Sequence, residues 1–228
     1  MGFPELPERL ARVRATIAEA QARGGRTHPV RIVAVTKTHG PEAVRAAVAA
    51  GLDAVGENRV QEALPKQDAT ADVTVDWHLV GSLQRNKVRQ VIWRFALVHS
   101  IDRFDLAEEF QKRLPEGSRQ AVLLQVNCSG EPQKGGVEPA ECVALLERIR
   151  GLDRIDVRGL MTMAEFTNDE RVQRAAFQRL RTVQEQGRSS GHPLPELSMG
   201  MSGDYGVAVE EGATLVRLGT LLFGTRDR

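Results

Sequence analysis

Little in this sequence points to a polyanionic or membrane partner. The 228 residues carry 31 Lys and Arg against 30 Asp and Glu, a formal net charge of +1. A dedicated nucleic-acid binder normally shows a basic excess, so nucleic acid is not an expected partner. No apolar run approaches the roughly 20 residues of a membrane span, and the N-terminal stretch lacks the continuous apolar segment of a signal peptide. Cysteine is nearly absent. Cys128 and Cys142 have no metal-ligand spacing, so no metal is expected, and the composition fits a reducing cytoplasm. Aromatics make up only 4% of the chain. Val, Leu, Ile and Ala must then fill the core, as they do in parallel-sheet interiors.

What is present is alternation. Leu6, Leu10, Val13 and Ile17 recur at helical spacing within 4–23, and Gly24-Gly25 stops that helix. Val30–Thr36 is a compact β-branched run bounded by turn residues, and reads as a buried strand. Pro41 suits the first position of a helix over 43–50. Further strands are expected at 54–56, 77–81, 96–100, 121–127, 157–161, 196–200 and 215–219. Helices are expected at 60–67, 84–93, 104–114, 140–149, 169–186 and 204–211, with Gly51, Gly187 and Gly212 as stops. Eight strand–helix units leave about 28 residues each, what a βα pair with short loops requires. The expectation is an α/β fold: residues 1–228 as one (β/α)8 TIM barrel with an extra N-terminal helix. An open doubly wound sheet is the alternative.

In such a barrel the chemistry belongs at the C-terminal ends of the strands. Lys37 directly follows the first strand. A lysine held there is expected to be partly desolvated, which favours a neutral amine able to attack a carbonyl. The plainer reading is a rim lysine reaching to water. After strands 7 and 8 come two small-residue turns, Ser198–Gly203 and Gly219-Thr220. Backbone N–H groups can converge there on an anion, and barrels commonly hold phosphate at this place. Lysine and cradle together suggest a phosphorylated aldehyde or ketone as ligand.

The segments Ala34–Thr38, Gly56–Glu62, Trp77–Lys87, His99–Asp102, Gln125–Glu131, Lys134–Gly136, Gly159–Met163, Leu197–Asp204 and Val216–Thr220 fall in one order along the chain. Together they closely resemble the pyridoxal 5′-phosphate homeostasis protein family, whose fold is similar to the N-terminal barrel of bacterial alanine racemase (PLP fold type III). The resemblance runs from about Pro4 to Gly224. It implies pyridoxal 5′-phosphate (PLP) as cofactor, carried on Lys37 as an internal aldimine. It implies the phosphate on Ser202, Gly203, Gly219 and Thr220, with Ser198 beside them. Asn58 and Met163 would flank the ring, and Arg217 would face the pyridine nitrogen. An arginine there keeps that nitrogen unprotonated and weakens the ring as an electron sink.

The sequence departs from the family pattern at the cofactor mouth. His39 stands where a second lysine is frequent, Arg59 where tyrosine is frequent and Ser82 where histidine is common. Lys134 matches a family lysine; it reads as a second attachment point or, more plainly, as a solvated loop residue. His78 and His99 read as neutral hydrogen-bonded histidines, Cys128 as an unreactive small residue, and Trp77 and Trp93 as core or interface anchors.

The resemblance implies a cytoplasmic PLP-binding protein of PLP homeostasis, monomeric or weakly dimeric. Its expected partners are PLP, other B6 vitamers and PLP-dependent apoenzymes. The alternative is an amino-acid racemase. Racemisation needs a base on each face of the bound amino acid, and the sequence holds one tyrosine, Tyr205. In the related racemases the second base comes from a further domain, for which this reading leaves no residues. A Schiff-base aldolase fits less well, because its lysine lies on a later strand.

Overall fold

Alternate residues of eight short strands turn inward and close a cylinder. In the computed structural model, which describes residues 2–224, the strands are β1 (Arg31–Val35), β2 (Ala54–Glu57), β3 (Asp76–Leu79), β4 (Leu97–Ile101), β5 (Gln120–Gln125), β6 (Ile155–Met161), β7 (Glu196–Ser198) and β8 (Leu215–Leu218). They pair in sequence order, every pair is parallel, and β1 pairs with β8 to close the barrel. The doubly wound alternative is thereby excluded.

The helices are α1 (Leu6–Gly24), α2 (Pro41–Ala49), α3 (Val60–Ala69), α4 (Val88–Val91), α5 (Phe104–Arg113), α6 (Cys142–Ile149), α7 (Glu170–Ser189), α8 (Tyr205–Glu210) and α9 (Thr220–Phe223). Helix α1 buries the expected stripe, Leu6, Leu10, Val13 and Ile17, and packs against α8 and α9. Pro41 opens α2, where its missing N–H costs nothing. Two expectations fail. The helix expected over 84–93 is a 3-10 turn at Arg85–Lys87 followed by the single turn α4, and Trp93 then takes a left-handed φ of 68°. Trp93 is 69% exposed, so it is no core anchor, whereas Trp77 packs partly buried on the core. Gly187 does not stop α7. It lies buried inside that helix, where a Cβ would meet Leu194 Cδ1 at 2.6 Å, so close packing rather than chain reversal calls for glycine.

Inside the barrel, Val33, Ala54, Leu97, Leu123, Met161 and Leu215 form a cluster of their own, separate from the strand–helix core. The two-residue side-chain period carries this inward face up each strand. Above Val33 come Val35 and then Lys37. Above Ala54 come Gly56 and Asn58. Above Leu215 come Arg217 and Gly219. This parity places the site.

Candidate functional site at the strand C-termini

A cleft of about 510 Å³ opens over the C-terminal ends of the strands. Lys37, Asn58, Met163, Ser202, Gly203, Arg217, Gly219 and Thr220 all line it. These are eight of the nine residues expected there. Ser198 is not among the lining residues. Its side chain is fully buried beneath the floor, where its Oγ accepts from Arg217 Nη1 at 2.6 Å and lies 2.9 Å from His99 Nδ1. A hydroxyl so engaged is not free to receive a phosphate, so the expectation for Ser198 is corrected to a support of Arg217.

Lys37 differs from expectation in another way. It is exposed at the cleft mouth, not partly desolvated. What is fixed is the backbone beneath it. Thr38 takes a left-handed φ of 69°, a conformation that costs a β-branched residue on the order of 1–3 kcal/mol. His39 N–H donates to Thr36 O at 3.1 Å and closes the turn. Below it lies a buried ion pair. Lys66 Nζ reaches Glu57 Oε1 at 2.6 Å and Thr36 O at 2.8 Å, and Thr36 Oγ1 donates to Glu57 Oε1 at 2.5 Å. The residue preceding Lys37 is thus tied from two sides. Sequence reasoning passed over Glu57 and Lys66. The signal was a strand-end carboxylate on the outward face of β2, opposite a lysine on the buried face of α3.

Arg217 forms the floor. It is 5% exposed, and its Nη2 donates to Thr162 O at 2.9 Å. Among the described residues it makes no ion pair. Burial lowers its pKa to about 10, which leaves it charged at neutral pH. Asp204 also lines the cleft. Burial raises its carboxyl pKa against the opposing pull of the Met201 N–H, Arg217 and Lys134. A desolvated cation at the base of an open cleft favours an acceptor or anion placed there. At the far rim, Ser202, Gly203, Gly219 and Thr220 form two small-residue turns. Thr220 opens α9, in whose first turn the N–H groups of Leu222 and Phe223 both donate to Gly219 O at 2.9 Å and that of Leu221 reaches Ser202 Oγ at 3.5 Å, which ties the two turns together.

The departures at the mouth also have definite places. His39 packs edge-on to Phe3, with ring centroids 5.4 Å apart, and lies beside Phe223. Arg59 pairs with Glu62 at 3.1 Å, and Ser82 lines the cleft. Lys134 is not a solvated loop residue. It reaches Ala164 O and Glu131 Oε2, each at 2.5 Å, and so joins the loops after β5 and β6. Tyr205 packs on the core and does not line the cleft.

Residues 9–227 match the family model of the alanine racemase N-terminal domain. The pyridoxal phosphate homeostasis protein of Aquifex aeolicus is 44% identical over 222 residues, covering 96% of this chain and 97% of that one. Its namesake in Pseudomonas aeruginosa is 45% identical over 224 residues, covering 97% and 96%. This chain belongs to the pyridoxal phosphate homeostasis protein family.

Among solved structures, PipY of Synechococcus elongatus with PLP bound superposes with a TM-score of 0.84 at 38% identity, covering 96% of this chain and all of that one. Alanine racemase of Corynebacterium glutamicum, at 16% identity and a TM-score of 0.73, shares the barrel fold. This chain covers 60% of that racemase. No helix among the described residues is long and apolar enough to cross a membrane.

Proposed function

We propose that this homeostasis-family protein binds PLP in the cleft and serves as a holder that delivers it to PLP-dependent apoenzymes. One observation carries the reading. Arg217 is a buried guanidinium that makes no ion-pair contact among the described residues, feels Asp204 only at longer range, and floors a cleft whose mouth carries Lys37. PLP supplies an aldehyde that takes up amines, and a ring that draws electrons. The residues present fit it. Lys37 Nζ attaches to the aldehyde carbon and releases water. Arg217 donates to the ring nitrogen, and a group that only donates keeps that nitrogen unprotonated. Asn58 and Met163 flank the ring. Ser202, Gly203, Gly219 and Thr220 receive the phosphate. PLP and other B6 vitamers share the ring and so compete for this floor. The barrel acts as a single domain, as a monomer or weak dimer in the cytoplasm.

The titratable side chains around the cleft are Lys37, Glu165, Asp204 and Arg217 among the described residues. Tyr205, the sole tyrosine, lies outside it, so the pairing of lysine with tyrosine that a racemase uses is not assembled within this barrel. The protein as purified should show the visible absorption of a lysine Schiff base, and Lys37→Ala should abolish it. The same band retained in Lys37→Ala refutes the attachment. A D-amino acid product above the free-PLP background, dependent on Lys37, refutes the holder reading in favour of a racemase.

A further inference from the structure

A polar chain runs from the cleft floor through the barrel interior. Arg217 Nη1 lies 2.6 Å from Ser198 Oγ, Ser198 Oγ lies 2.9 Å from His99 Nδ1, and His99 Nε2 lies 3.0 Å from His78 Nδ1. The four residues come from β8, β7, β4 and β3. Ser198 and His99 are 0% exposed and His78 is 1% exposed. Barrel interiors are ordinarily filled with apolar layers. Here the chain crosses that region and ends at His78, which lines a second cavity at the opposite, N-terminal end of the strands, near Arg31 and Asp76.

The protons along this chain can be assigned from the arginine. A guanidinium only donates, so Ser198 Oγ is the acceptor. Burial pushes the pKa of His78 down to about 4 and that of His99 well below its ordinary value, so both imidazoles are neutral and each carries one N–H. The hydroxyl proton of Ser198 then goes to His99 Nδ1. His99 keeps its proton on Nε2 and donates it to His78 Nδ1, which leaves the His78 proton on Nε2. The opposite order would put the His99 proton on Nδ1 and leave the Ser198 hydroxyl proton without an acceptor at a fully buried site, a cost of about 1–3 kcal/mol.

We propose that Ser198 and His99 are positioning residues for Arg217: a one-way hydrogen-bond chain, Arg217 to Ser198 to His99 to His78, fixes the guanidinium that meets the PLP ring nitrogen. This rests on the PLP reading above. Neutral acceptors orient the guanidinium without cancelling its charge. A carboxylate in the place of Ser198 would hold it equally well but would quench the field offered to the cleft. The chain thus explains why polar groups are buried where valine or leucine would pack at lower cost.

The first test needs no variant and no cofactor. In apo protein labelled with 15N-histidine, at neutral pH, NMR should find His78 and His99 neutral with the proton on Nε2. A proton on His99 Nδ1 overturns the direction and with it the proposal. The second test uses PLP-loaded protein. Ser198→Ala, which removes a buried bond to the charged Arg217, should weaken PLP retention about tenfold. His99→Leu, which takes away the acceptor of the Ser198 hydroxyl, should weaken it in the same direction, and each should shift the absorption maximum of bound PLP. His99→Asn, which keeps an acceptor facing Ser198, should recover most of both. Melting curves confirm that the variants are folded. Unchanged affinity and spectrum in both Ser198→Ala and His99→Leu overturn the positioning role while PLP binding stands. A parent protein that takes up no PLP overturns the cofactor reading and this role together.

Discussion

The buried histidine pair should make the fold sensitive to mild acid. His78 is held neutral chiefly by burial, with Arg31 adding to the effect and Asp76 and Asp53 opposing it, and its pKa falls to about 4. In the unfolded chain the same group titrates at about 6.5. Between these values the unfolded chain binds a proton that the folded chain refuses, so stability falls as pH drops from 6.5 toward 4. By pH 5 the unfolded histidine is almost fully charged, and the linkage amounts to about 2 kcal/mol. His99 acts in the same direction. For a chain of this size that is a loss of about 4–8 °C in Tm from His78 alone. Asp204 works the other way, because a carboxyl with a raised pKa takes up its proton in the fold first. The comparison that isolates the histidine is therefore the parent against His78→Gln, each unfolded in urea at pH 7.5 and pH 5. The parent should lose about 2 kcal/mol more than the variant between the two conditions. Equal losses in the two proteins would refute the reasoning.

Two further outcomes follow from buried groups elsewhere. Lys66→Met strands the Glu57 carboxylate, whose Oε2 already has no hydrogen-bond partner, and should cost about 3–5 kcal/mol, or about 10 °C in a thermal melt. The pair Glu57→Leu with Lys66→Met should recover most of that loss, and a single variant melting within about 2 °C of the parent would show that the pair is not buried in solution. The thiols are the second case. Burial raises Cys128 to about 11 and Cys142 to about 12, so a thiol reagent at pH 8 should label the unfolded chain rapidly and the native protein only on the timescale of opening. Rapid native labelling of either would contradict its burial.

The barrel was legible because its signals are local and periodic. β-branched runs set the strands, and glycines with left-handed φ at Gly51 and Gly212 end helices as expected. Where a glycine serves a distant partner, the same reasoning misleads. Gly187 looks like a stop, yet its reason is Leu194, which reaches it across a turn. The site divides in the same manner. Lys37, Arg217 and the small-residue turns sit at strand ends that sequence alone can find. Lys66 needed the knowledge that α3 lies against the outward face of β2. Ser198 was placed on the correct strand but in the wrong role. Its alternation with Glu196 puts it inside the barrel, and only closure of the sheet brings Arg217 and His99 within reach of its hydroxyl. The strand-end histidines are hydrogen-bonded as expected, but their connection to the cleft is a property of the closed barrel.

The distribution of rigidity across the cleft bears on what the site can do. The floor is fixed: Arg217 is held by Ser198 and Thr162 O, and Ser198 by His99. The mouth is not held in the same way, because Lys37 is exposed and only its backbone is anchored, through Thr36, Glu57 and Lys66. An enzyme that withdraws a proton from a bound amino acid needs a ring that accepts electrons and bases fixed on both faces of the substrate. On the proposed reading, a fixed arginine beneath the ring works against the first requirement. Beside Lys37 and Arg217 the titratable groups around the cleft are Glu165 and Asp204 rather than a tyrosine, among the described residues. A holder has other needs: a floor that recognises the ring without activating it, and an attachment point that solvent and an incoming amine can reach. Rigid cation below and accessible amine above answer those needs, and on the proposed reading they are the physical reason that the same barrel that serves racemases here favours holding over turnover.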